Sequence, residues 1–107
     1  MREGYAPDLR ELGTVYLLHF DRPYVAGAHA PCRHYIGWTR SLGARLQHHA
    51  KGSGVRFLSF VRARGIRWTV AREWDGDRTL ECRLKNRKYA AWLCPICRAT
   101  IDELPPF

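Results

Sequence analysis

No stretch of this chain approaches the roughly 20 apolar residues that a membrane-spanning helix needs. The first twelve residues carry charges and Pro7 and hold no apolar run, so no secretory signal is expected. There is no internal repeat and no low-complexity segment, which sets aside solenoids and biased linkers. Acids are scarce: 10 Asp and Glu stand against 18 Lys and Arg, giving a net charge of +8 over 107 residues. Arginine supplies most of the excess, and its planar fork suits bidentate phosphate contact. A polyanion, nucleic acid first, is therefore the expected partner, with charge that serves only solubility as the alternative. Neither a membrane nor a small-molecule substrate is expected. The four cysteines could make two disulfides in a secreted protein, but nothing indicates export, so a cytoplasmic location is expected.

The apolar fraction of 46% and the aromatic fraction of 12% are those of a folded chain. The length suits one domain, residues 1–107, with a core over about 13–90 and a tail over 91–107. Residues 14–20, TVYLLHF, form a nearly continuous apolar run and predict a buried strand. Residues 21–33, with Pro23, Gly27 and Pro31, read as a long connecting loop. A second strand spans 34–39, and Thr39 or Ser41 can cap a helix running to about Ala50. A second helix is predicted from Gly54 to Arg64, closed by Gly65, and a half-exposed strand over 66–74. Asp75-Gly76-Asp77 reads as a turn, followed by a helix from about Asp77–Thr79 to Ala90. The tail, LCPICRATIDELPPF, reads as irregular. The expected fold is a small α/β domain of order β-β-α-α-β-α, with a short three-stranded mixed or antiparallel sheet flanked by helices.

The stretch from His34 to Gly54 concentrates the chemistry. Hydrolysis of a phosphodiester needs a base for water, positive charge on the phosphate and help for the leaving oxygen. Tyr16 and Tyr35 sit in strands that one short sheet could pair. Arg45 and His49 lie four apart and so share a helix face, the first a fixed positive fork and the second a proton carrier. Glu81, in the opening of the next helix, offers a hard oxygen ligand. Taken singly, the tyrosines could be packing residues and Arg45 a solvated charge.

The order of these pieces, a Val15-Tyr16 strand, an intact Tyr35-Ile36-Gly37, then Trp38-Thr39, Leu42, Arg45 and His49, resembles the GIY-YIG nuclease family over roughly residues 13–85. Thr14 and Val15 stand where that family has glycine and isoleucine. Many members carry an asparagine well after the glutamate; here there is only Asn86, to which that role is not carried over. The resemblance implies a metal-dependent DNA endonuclease. Tyr16 would be the general base, His49 its proton relay and Tyr35 a positioning group. Arg45 would hold the phosphate, and Glu81 would bind one Mg²⁺ or Mn²⁺. The metal charge, Arg45 and His49 would together lower the Tyr16 pKa. Activity alone or inside a larger nuclease or repair complex would fit the short chain.

Arg40, Lys51, Arg83, Lys85, Arg87 and Lys88 are the expected nucleic-acid contacts. A second reading is a non-catalytic binding module that adds Trp38, Trp68, Trp74 and Trp92 as stacking surfaces. Cys94-Pro-Ile-Cys97 is a separate constellation. It binds zinc only if two more ligands arrive, with Cys32 and His34 first and Cys82 and His29 behind. Otherwise the cysteines are reduced and packed. A zinc-stabilised interaction adaptor is the third reading.

Overall fold

A computed structural model describes residues 12–28, 30–87 and 90–102. Among them, strands β1 (Gly13–Tyr24), β2 (Cys32–Thr39) and β3 (Trp68–Gly76) form one sheet in the order β2-β1-β3. Both pairings are antiparallel, so the mixed alternative drops out. β1 is the centre strand, covered on both faces, which is why its apolar residues run on without alternation.

Period-two alternation divides β1 between two cores. Tyr16, Leu18 and Phe20 join Leu58, Val61 and Ile66 on one face, beneath α1 (Leu42–Lys51) and α2 (Arg56–Ala63). Val15 and Leu17 join Ile36, Leu84 and Cys94 on the other, beneath α3 (Arg78–Arg87), α4 (Ala90–Leu93) and α5 (Pro95–Asp102). Full burial of each of these aliphatic side chains contributes about 1.5–3 kcal/mol.

Local signals fix the helix ends. Thr39 Oγ1 accepts from the Ser41 N–H at 3.1 Å and turns the chain into α1. α1 stops at Gly52, whose φ of 78° only glycine adopts without strain. Asp77 is buried, and its Oδ1 accepts from the Leu80 N–H at 3.1 Å, capping α3.

Three expectations are corrected. The loop expected over 21–33 is shorter, because β1 continues through Pro23 to Tyr24, past a register shift beyond His19. Asp75 and Gly76 are not a turn; they pair with Thr14 and Gly13 and lengthen β3. The tail expected to be irregular folds as α4 and α5. Pro95 heads α5 at the first helical position, where its missing N–H costs nothing.

Candidate functional site

Tyr16 on the centre strand and His49 on α1 meet in the core, with Tyr16 Oη 2.8 Å from His49 Nε2. Both side chains are about 1% exposed, so water competes little for this contact. Tyr35, on the same sheet face one strand over, completes an aromatic triangle. Its ring lies 6.2 Å from that of Tyr16 and 6.0 Å from that of His49. Three other charged groups surround the triangle. The fields of Arg45 and Glu81 reach both tyrosines. Lys85 Nζ lies 5.9 Å over the Tyr35 ring and 3.1 Å from Glu81 Oε2. All five residues expected at the site, from β1, β2, α1 and α3, are thus in one place. Lys85, expected only as a nucleic-acid contact, stands among them.

The electrostatics differ from expectation in one respect. Burial is the largest influence on Tyr16 and pushes its phenol above the ordinary value; Tyr35 and Glu81 act the same way, and only Arg45 opposes them. The expectation that its surroundings lower the Tyr16 pKa is therefore corrected for the protein's own residues. Tyr35 is also raised, by burial and Glu81, against Lys85 and Arg45. His49 is lowered by burial, then by Arg45 and His48, so its imidazole is neutral at neutral pH. In the tautomer that leaves Nε2 bare, the Tyr16 O–H donates to it. His49 Nδ1 then carries the other proton, buried with no hydrogen-bond partner among the described residues. An unsatisfied buried group of this kind costs about 1–3 kcal/mol and marks a site where packing yields to another demand. A phenol bonded to a neutral imidazole can pass its proton along it, which leaves a phenolate able to accept one from a third group.

Two glycines make room for this pair. A Cβ on Gly37 would lie 2.6 Å from Tyr16 Oη and 2.7 Å from its Cζ, and one on Gly54 would lie 2.7 Å from His49 Nδ1. Gly37→Ala is therefore expected to destabilise the fold by roughly 1–3 kcal/mol. It should also break the Tyr16–His49 contact. Denaturant unfolding reads the first effect, and the histidine ring NMR signals read the second.

The expected nucleic-acid contacts are partly displayed. Arg40, Lys51 and Arg83 are exposed, and Arg87 ends α3, whereas Lys88 lies outside the described residues. Arg40 and Arg78 lie 5.7 and 4.6 Å from the Trp38 ring centre, and Arg72 lies 4.7 Å from that of Trp74.

A second cluster occupies the opposite sheet face. His19 and His34 are cross-strand partners on β1 and β2, with rings 5.3 Å apart. At the start of α5, Cys94 reaches His19 and Cys97 reaches both. Cys94 Sγ is 3.4 Å from His19 Nδ1, and Cys97 Sγ is 3.6 Å from His19 Nδ1 and 3.3 Å from His34 Nε2. One donor atom from each residue lies within 4.8 Å of every other, an arrangement that fits a metal site. Burial lowers His19, and lowers His34 to about 4, so both imidazoles are neutral donors at neutral pH. His34, Cys94 and Cys97 were expected here, and His19 was not. Cys32 is corrected: beyond the register shift in β1 it packs against the other core, and its thiol donates to the His34 carbonyl at 3.2 Å. Cys82 is exposed on α3, and His29 lies outside the described residues. No long apolar helix able to cross a membrane occurs among the described residues.

The chain matches no family model, no curated protein and no solved structure.

Proposed function

We propose that the chain is a metal-dependent endonuclease of the GIY-YIG kind, acting on DNA through Tyr16 and His49. The observation that carries this reading is the buried 2.8 Å contact between those two groups, with Tyr35, Arg45 and Glu81 around it. Tyr16 first gives up its own proton through His49 Nε2 to solvent, and its phenolate Oη then takes a proton from the attacking water. Arg45 holds the phosphate, and Tyr35 positions the reacting groups. Glu81 fits a hard cation that keeps most of its waters: it is a single half-buried carboxylate whose charge reaches both tyrosines. One Mg²⁺ or Mn²⁺ there would neutralise charge on the phosphate and the leaving oxygen. The test is plasmid nicking by purified protein with and without Mg²⁺.

Arg45→Ala is expected to slow cleavage about 10²–10³-fold without unfolding the protein, the usual loss for one positioned charge-stabilising donor. Single-turnover rates beside a thermal melt check this. Loss of fold together with activity would make Arg45 structural.

A non-catalytic nucleic-acid binder on the same scaffold is the second reading. It is favoured by the upward push on the Tyr16 pKa and by the guanidinium–tryptophan pairs at Trp38 and Trp74. Both readings expect electrostatic binding. If about four phosphates are neutralised, log Kd should change with log salt at a slope of magnitude roughly 3–4. Fluorescence anisotropy over a salt series checks it, and a flat response removes the nucleic-acid partner from both.

A further inference from the structure

We propose that His19, His34, Cys94 and Cys97 bind one zinc ion in a closed tetrahedral site, and that this ion clamps α5 to the sheet. The proposal is independent of the nuclease reading, because Tyr16 and His19 lie on opposite faces of β1.

The geometry selects a single ion. A tetrahedral zinc has Zn–S near 2.3 Å and Zn–N near 2.0 Å, which places its sulfur and nitrogen ligands about 3.5 Å from one another. Three of the four sulfur–nitrogen separations are 3.3, 3.4 and 3.6 Å, and all four donor atoms lie within 4.8 Å of one another. An ion therefore enters by side-chain adjustment. The donor set selects the element. Two thiols and two imidazoles, with no carboxylate in the cluster, suit zinc and disfavour magnesium or calcium. Four protein donors leave no position for water or substrate, which is the pattern of a structural centre.

The fold supplies the ligands in a form suited to this use. Antiparallel register sets His19 beside His34 on one sheet face. Cys94 precedes Pro95 at the head of α5, and the Arg98 N–H donates to the Cys94 carbonyl at 2.9 Å, so Cys97 falls within the same first turn.

The packing gives the ion its role. α4 has four residues and buries none of them, and Trp92 and Ile96 are 54% and 40% exposed. Cys94 is the only residue between 90 and 99 that is fully buried. Ala90, Leu93 and Cys97 are only partly buried against the core around Cys94, so apolar contact over residues 90–99 is modest. A metal joining α5 and Cys94 to strand positions 60 to 78 residues away in the chain holds the helix on the sheet.

The test uses the full chain, purified under reducing conditions. Elemental analysis should find one zinc per chain. Exchange into cobalt should give the visible absorption of a tetrahedral ion together with thiolate-to-cobalt charge transfer. Removing zinc with a chelator should speed amide hydrogen exchange over residues 95–102 by at least about tenfold, and adding zinc back should restore it. His19→Gln and Cys97→Ser should each lose the ion, while Cys32→Ser and Cys82→Ser keep it. Should a ligand variant fail to fold, the cobalt spectrum and the exchange data on wild type still decide. The proposal is overturned by zinc well below one per chain, by iron or copper in its place, or by a Cys94–Cys97 disulfide under these conditions. It is also overturned if the ion is retained in both His19→Gln and Cys97→Ser, or if exchange in α5 does not respond to the metal.

Discussion

Glu81→Gln is expected to abolish DNA cleavage and leave DNA binding in place. The amide keeps the shape of the side chain and loses its charge, so a hard cation loses its protein anchor. A catalytic metal supplies several kcal/mol of transition-state stabilisation, so the rate should fall at least about 10³-fold. The fold should survive. The structural interaction lost is the ion pair between Glu81 and Lys85, four apart on α3, and pairs of this kind contribute about 0.3–0.5 kcal/mol. Removing one acid does not weaken attraction for phosphate, so binding should be equal to or tighter than wild type. Single-turnover nicking and anisotropy on the same preparation measure both. Wild-type cleavage in this variant would remove Glu81 from the mechanism.

Tyr16→Phe should lose cleavage by a comparable factor, and with it the pH dependence. Burial, Tyr35 and Glu81 hold the Tyr16 phenol above its ordinary value, which for a free tyrosine is near 10. The active, proton-accepting form therefore grows about tenfold per pH unit through the neutral range. The wild-type rate should climb from about pH 6 and show no plateau by about pH 9. In the proposed mechanism the phenol proton leaves through His49, so His49→Ala should be slower and its rise displaced to higher pH. Rate–pH profiles of the three proteins, with melts across the same range, test this. A Tyr16→Phe enzyme that keeps its rate and alkaline rise would contradict it, as would a His49→Ala profile that overlays wild type.

Much of this arrangement was legible in the chain because periodicity and local chemistry agree. The β-branched and aromatic runs around Tyr16 and Tyr35 form adjacent strands, and the helical spacing from Leu42 carries Arg45 and His49 to the same sheet face. Electrostatics were less legible. The charges near Tyr16 can be listed from sequence, but burial outweighs Arg45, and burial depends on α1 closing over the sheet. His19 was hidden for a related reason. It lies inside an apolar run that reads as uniformly buried, and only the cross-strand register pairs it with His34. Cys32 looked the better ligand because it is two residues from His34, yet the shift in β1 beyond His19 sends it to the other core. α5 is not read from the sequence because the prolines of the tail suggest irregular chain, whereas Pro95 opens the helix instead of breaking it.

The central claim, that the Tyr16–His49 pair is a phosphodiester-cleaving centre, is tested most directly by nicking of supercoiled plasmid. Wild type, Tyr16→Phe and Glu81→Gln are compared, each with Mg²⁺ and with chelator. Wild type should nick with Mg²⁺ and not with chelator, and neither variant should nick although both still bind the plasmid. No nicking by folded, DNA-bound wild type in Mg²⁺ or Mn²⁺ on plasmid, branched and single-stranded substrates would contradict it, as would nicking that persists in both variants.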